Sequence, residues 1–168
     1  MKKSFVAVLM GSDSDLSTMQ ATLAVLDKFG VAREVKITSA HRTPVATHAY
    51  VKDADARGCK VFIAAAGLAA HLAGTIAALT IKPVIGVPMD AGPLKGIDAL
   101  LSTVQMPGTV PVASMAIGKA GAVNAGYLAV QILALTDANL AQKLLQDREE
   151  NEKLIQDQDA AALQKLSN

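Results

Sequence analysis

Three short stretches of this chain carry side chains that could do chemistry: Gly11-Ser12-Asp13-Ser14-Asp15, Ser39-Ala40-His41-Arg42-Thr43-Pro44 and Ala66-Gly67-Leu68-Ala69-Ala70-His71. In the first, Gly11 would let a ligand approach the backbone closely. Ser12 and Ser14 place hydroxyls where a helix would begin. The free N–H groups and dipole of a helix start favour an anion there. The same residues also make an ordinary Ser/Asp helix cap, and on these residues alone the two readings stand level. Asp13 and Asp15 weigh against a ligand that is phosphate only, and suit one with phosphate on one side and sugar hydroxyls on the other. The Gly-Lys-Ser/Thr ending of a Walker loop is missing, and so is a dinucleotide Gly-x-Gly-x-x-Gly.

The second stretch places an imidazole beside a guanidinium. Arg42 offers a fixed fork for phosphate or carboxylate, and His41 can give or take a proton near neutral pH. Pro44 suits the first turn of the helix that follows. Thr43 reads equally well as a simple cap, but a purely surface role leaves adjacent His41 and Arg42 unexplained, and function is preferred. In the third stretch, small residues leave room for a planar ligand against the backbone. His71 taken alone reads more simply as structural, and His48, inside a helical stretch, as a solvated face residue. The three histidines have no i, i+4 pairing and no clustered carboxylates, so no metal site is expected. A serine nucleophile is also excluded, since there is no Gly-x-Ser-x-Gly elbow.

These stretches fall at the ends of apolar runs that read as strands. Runs at 5–10, 35–38, 61–66, 83–87 and 112–117 predict about five strands. Helical patterns follow at 16–29, 44–57, from the third strand to about Thr80, at 97–104 and at 120–135, with Gly30 and Gly58 closing the first two. Strands apolar along their whole length, each followed by a helix, indicate a parallel sheet covered on both faces. The expected architecture is therefore a three-layer αβα, doubly wound domain over 1–168, with its core at about 5–135 and a helical tail at about 136–166. Ligands of such sheets bind outside the carboxyl ends of the strands, which is where the three stretches lie. The tail is charge-rich, with apolar Leu140, Leu144, Leu145, Leu154, Ile155, Leu163 and Leu166. That pattern suits packing on its own domain or on a neighbouring subunit.

Composition removes several classes of partner. Sixteen Lys plus Arg against fifteen Asp plus Glu leave no basic footprint for nucleic acid or an acidic membrane. Aromatic residues are only 3% of the chain, too few for a base-stacking surface, so the 51% hydrophobic content must build a core of Ala, Val, Leu and Ile. A single cysteine, Cys59, excludes an internal disulfide and reads as a reduced structural thiol. The basic start Met1-Lys2-Lys3 precedes an apolar run too short for a secretory signal, and no apolar stretch reaches the ~18 residues of a membrane span. A soluble cytoplasmic chain is expected. The apolar, Ala-rich helix at 120–135 calls for more burial than one small domain supplies, which points to a homo-oligomer.

Met10-Gly-Ser-Asp-Ser-Asp15, Ser39-Ala-His-Arg-Thr-Pro44, Ala69-Ala-His-Leu72, Val104-Gln-Met-Pro107 and Ala116-Ile-Gly-Lys-Ala-Gly-Ala122 with Asn124 together resemble the class I N5-carboxyaminoimidazole ribonucleotide mutase family of bacterial purine biosynthesis. The likeness spans roughly residues 5–135. It implies a flavodoxin-like fold, a ribonucleotide substrate, a homo-octamer, and no metal or organic cofactor. Carried over by position, it implies that Gly11, Ser12, Ser14, Asp15 and Arg42 bind the nucleotide. His41 would be the general acid/base, with Ser39 and His71 lining the reacting end. Ala66, Gly67 and Ala70 would flank the carboxylate or carbon dioxide, and Lys119, Gly121 and Asn124 would close the site, from this subunit or a neighbour. Leu68 departs from the family, where a small residue, usually Gly, is common; Ala73 stands where Pro is common. Met106-Pro107-Gly108-Thr109 replaces a more usual Met-Pro-Arg/Gly-Gly run. The rivals are a class II enzyme that carboxylates aminoimidazole ribonucleotide directly with carbon dioxide, and a non-catalytic nucleotide- or flavin-binding module on the same fold.

Overall fold

In the computed structural model, which describes residues 4–166, a parallel five-stranded sheet has the order β2-β1-β3-β4-β5. The basic start Met1-Lys2-Lys3 lies outside the described residues. The chain divides into two compact units, one reaching to Ile132 and one beginning at Leu133.

In the first unit the strands are β1 (Phe5–Met10), β2 (Arg33–Ile37), β3 (Cys59–Ala66), β4 (Val84–Pro88) and β5 (Ala113–Ser114). They alternate with α1 (Leu16–Lys28), α2 (Pro44–Arg57), α3 (Leu72–Ala77), α4 (Ile97–Val104) and α5 (Lys119–Ala134), of which Leu133 and Ala134 belong to the second unit. Every residue of β1 and β4 is buried, and β3 is buried along most of its length, as strands covered on both faces must be. Phe62, Leu9, Met10, Ile63 and Ile85 are among the largest fully buried side chains. The strand order is the flavodoxin-like one, so the order of the strand connections reverses between β1 and β3 and opens a crevice there, at the carboxyl edge.

Strand β1 and helices α2 and α4 have the predicted bounds, and α1 ends one residue early. Gly58 closes α2 in the left-handed region at φ 105°, a backbone state that glycine adopts without the Cβ penalty. Strand β3 begins two residues earlier than expected, at Cys59, β4 lies one residue later and α5 one residue earlier, and three elements differ in ways the fold explains. The second strand begins at Arg33 rather than Val35. Arg33 and Glu34 carry no hydrophobic signal because they lie on an edge strand and pair outward, with Asp27 and with Arg57. The fifth strand is only Ala113–Ser114, since it has one neighbour and leaves the ladder soon after Met115 N–H reaches the Gly86 carbonyl. Helix α3 does not follow directly on β3; residues 67–71 form a loop in which Leu68 takes a left-handed conformation.

Helix α5 is held to α1 at close range. Thr22 donates its hydroxyl to the Ala122 carbonyl at 2.6 Å, and a Cβ on Gly126 would come within 2.8 Å of Val25. Phe29 meets Tyr127 edge-on at 5.7 Å. The small residues of α5 therefore serve helix packing, which explains its Ala-rich face.

The second unit contains α6 (Ala138–Leu166). Asp137 caps it, its Oδ1 accepting from the N–H groups of Asn139 and Leu140. Leu145, Leu154, Ile155, Leu163 and Leu166 are exposed. Among the described residues, no helix is long and apolar enough to cross a membrane.

Candidate active site

The loop after β1 makes both of the structures its residues allow. Ser12 Oγ accepts from the Ser14 N–H at 3.3 Å, and Asp15 Oδ2 accepts from the Ser12 N–H at 3.2 Å, closing a single 3-10 turn ahead of α1. The same turn forms one wall of a cavity of about 470 Å³, within the range of small-ligand sites. Burial pushes the Asp15 carboxyl above the usual range, and its hydrogen bonds to Ser12 and Ser14 oppose that only in part. Gly11 is not required by protein packing: a Cβ there would meet Ala65 and Ala66 at ordinary 3.7 Å contacts.

The loop after β2 is built by hydroxyl groups. Thr47, fully buried on the first turns of α2, hydrogen-bonds the Thr38 hydroxyl at 2.8 Å, and its Oγ1 lies 3.3 Å from the Ser39 carbonyl and 3.1 Å from that of Thr43. Thr43 holds the N-cap position of α2, but its side chain makes no cap hydrogen bond. Its hydroxyl turns back, accepting from the Ser39 N–H at 2.9 Å and contacting the Ser39 carbonyl. Ser39 Oγ in turn accepts from the Arg42 N–H. Each partner removes one way for the loop to move, so His41 and Arg42 start from a fixed backbone. Arg42 then spans to the first loop, its Nη2 donating to the Gly11 carbonyl at 2.9 Å.

The loop after β3 brings in the third member. His71 stands just before α3, and its Nδ1 lies 2.8 Å from Nε2 of His41. The rings meet edge to face, with centroids 4.9 Å apart and planes at 84°. A hydrogen bond between two imidazole nitrogens needs one proton between them, so one ring donates while the other accepts. The pair is exposed on the cavity side, where it can exchange that proton with a ligand.

Of the residues singled out in the sequence, Gly11, Ser12, Ser14 and Asp15 line the cavity from the first loop, and Ser39, His41 and Arg42 from the second. Ala66, Gly67 and His71 line it from the third. Ala70 is buried beneath that loop instead. Lys119 begins α5 and is exposed, outside the cavity lining. Gly121 has a packing reason of its own, since a Cβ there would fall 1.6 Å from the Ala116 carbonyl. Asn124 is exposed on α5.

Sequence reasoning missed Ala91, from the loop after β4, as a lining residue. It also missed the threonine frame. The spacing of Thr43 and Thr47, one helical turn apart, was the available signal for that frame. His48 is exposed on α2. Cys59 is fully buried and donates to the Val61 carbonyl, and burial raises its thiol to about 11. Among the described residues no group of three His, Cys, Asp or Glu side chains is placed to hold a metal ion.

Fold and cavity define an α/β protein with a cavity at the carboxyl edge of a parallel sheet, lined by Arg42, Asp15 and an imidazole pair. Residues 5–154 match the family described as AIR carboxylase, and the chain belongs to that family. It is 55% identical over 150 residues to the N5-carboxyaminoimidazole ribonucleotide mutase of Bacillus subtilis, covering 89% of this chain and 93% of that one. The protein of the same name from Methanocaldococcus jannaschii is 50% identical, covering 89% and 92%. Its fold is also that of the crystal structure of Treponema denticola PurE, with a TM-score of 0.84 at 27% identity over 94% of this chain and 97% of that one.

Proposed function

We infer that this chain is an isomerase of purine biosynthesis that converts N5-carboxyaminoimidazole ribonucleotide to 4-carboxy-5-aminoimidazole ribonucleotide. The observation that carries the reading is the hydrogen-bonded His41–His71 pair, set in one cavity with Arg42, Ser12 and Asp15. The names of the relatives support the substrate. A binding module would need no proton donor at the ligand's reacting end, and a histidine pair is a poor expenditure of exposed surface without one.

The reaction follows from that placement. Protonated His41 gives its proton to the exocyclic carbamate nitrogen, the N–C bond breaks and carbon dioxide leaves. The bonding pair stays on nitrogen, and the resulting enamine makes C4 of the ring nucleophilic. C4 attacks the carbon dioxide, forming the C–C bond, and neutral His41 then removes the C4 proton to restore aromaticity. One proton goes out and one returns, so no co-reactant is required. His71 holds the His41 ring and fixes which of its nitrogens faces the ligand. Arg42 and the turn at Ser12 serve the phosphate, and Asp15 the ribose hydroxyls. Ala66 and Gly67 leave room for carbon dioxide beside its acceptor, where proximity and water exclusion both favour recapture.

We place the enzyme in the cytoplasm, as a homo-octamer. Exposed apolar side chains at Ile97, Leu101 and Val104 on one side of α4, with Leu94 before it, support burial against further copies. Such an assembly would also let a neighbour's Lys119 and Asn124 complete the site. Native mass spectrometry tests the assembly; a monomer would remove it. The function is tested by giving purified enzyme each substrate in turn, with and without bicarbonate. Isomerisation of the carbamate without added bicarbonate is expected. Turnover of aminoimidazole ribonucleotide with bicarbonate alone would favour the direct carboxylase, and neither reaction would leave only a binding module.

A further inference from the structure

Leu68 is the one branched residue in an otherwise small-residue loop, and it sits at φ 55°, in the left-handed region that β-carbon sterics disfavour. A strained position persists only where surrounding contacts hold it there. Here the contacts come from the loop after β4. Gly92 lies under the Leu68 side chain so closely that a Cβ on it would fall 2.4 Å from Leu68 Cδ2. One step back, a Cβ on Gly67 would fall 2.9 Å from Ala91 Cβ. Two consecutive pairs, Gly67 with Ala91 and Leu68 with Gly92, therefore zip the two loops together. The Met89 N–H, donated to the Ala66 carbonyl at 2.9 Å, anchors the base of the zipper. Leu68 and Ala91 both line the cavity, and Leu68 remains 51% exposed, so its side chain is a wall of the mouth rather than part of the core.

Carbon dioxide is neutral and apolar, and no hydrogen bond holds it well; an aliphatic wall that excludes water does. We propose that Leu68 is a positioning residue that clamps the loop at 89–96 over the reacting end and keeps released carbon dioxide from exchanging with solvent. This rests on the isomerase reading above. The two fail in distinguishable ways.

The experiment turns over unlabelled carbamate substrate in buffer containing 13C-bicarbonate and measures label in the product by mass spectrometry. Wild-type product is expected to be largely unlabelled. Leu68→Ala, which keeps the backbone and removes the wall, should raise the labelled fraction at least ten-fold. Leu68→Gly should do the same without loss of thermal stability, because glycine relieves the left-handed strain. Amide hydrogen exchange at 89–96 in the ligand-free protein should be faster in Leu68→Ala, a readout that needs no substrate. Labelling equal to wild type in both variants, or unchanged exchange at 89–96, would overturn the clamp. A wild-type product as labelled as the variants' would overturn it too, while still leaving an isomerase. Absence of any conversion by wild type strikes the function instead, and the exchange result then judges the clamp alone.

Discussion

His41 Nε2 and His71 Nδ1 face each other at 2.8 Å across 30 residues of sequence, joining the loop after β2 to the loop after β3. The contact makes the acid/base a coupled pair, because the proton one ring holds at this contact determines what the other can offer. In the proposed reaction it also divides the labour, one ring serving the ligand while the other orients it. Replacing His41 by Asn should lower turnover by roughly 10²- to 10⁴-fold, the usual worth of a positioned acid/base, while nucleotide binding stays largely intact. His71→Asn should lower it less. Near-normal kcat in His41→Asn would sink the assignment.

Thr47→Val removes a buried hydroxyl at nearly constant volume and takes from the buried Thr38 hydroxyl its 2.8 Å partner. A loss of about 1–3 kcal/mol is expected on chemical denaturation. Turnover should fall as well, since the loop carrying His41 loses its frame. A stability loss with unchanged kcat would show that the frame does not position the imidazole.

Gly11 and Arg42 test the anion end of the cavity. Gly11→Ala should fold with wild-type thermal stability, because the protein leaves room for the methyl, yet raise KM. Arg42→Ala loses the charged fork and should raise KM by about 10- to 100-fold, as expected for hydrogen bonds to a charged group. Ligand affinity measured by calorimetry separates these effects from folding.

Two carboxylates should move stability with pH in opposite directions. The Arg57 guanidinium hydrogen-bonds Glu34 and holds its carboxyl below the usual glutamate range. Its contribution is therefore fully present above that range and is lost as pH falls through the depressed value. Glu34→Gln should flatten the acid limb of a Tm–pH curve. Asp15 is the reverse: burial raises it, so its penalty appears as pH rises through the raised value. Asp15→Asn should raise Tm at neutral pH while weakening ligand binding. A neutral-pH Tm lowered by that substitution would contradict the assignment.

Cys59 should be inert in the folded protein, since it is fully buried and its thiol is raised to about 11. Alkylation at pH 8 should track global unfolding by denaturant. Rapid labelling of the native protein would show that β3 opens locally.

The alternation of apolar strands and helices was legible in the sequence because burial on both sheet faces imposes unbroken hydrophobic runs at β1, β3 and β4. Edge elements were harder to bound. Arg33 and Glu34 extend β2 through backbone pairing, which leaves their side chains free to stay polar, and β5 is short because it has a single neighbour. The junction residues Ser12, Asp15, His41, Arg42 and His71 were also legible, since a parallel sheet puts every such junction on one edge.

What the sequence determined by itself was therefore which residues share that edge, and through their pattern, which family they resemble. Which of them touch was decided only by tertiary structure. The His41–His71 bond depends on the placement of two loops on different strands, and the seat of Leu68 on Gly92 on two loops meeting across β3 and β4. Local pattern carries the preference of each segment. Contacts this remote in sequence depend on strand register and packing, which exist only once the sheet has formed.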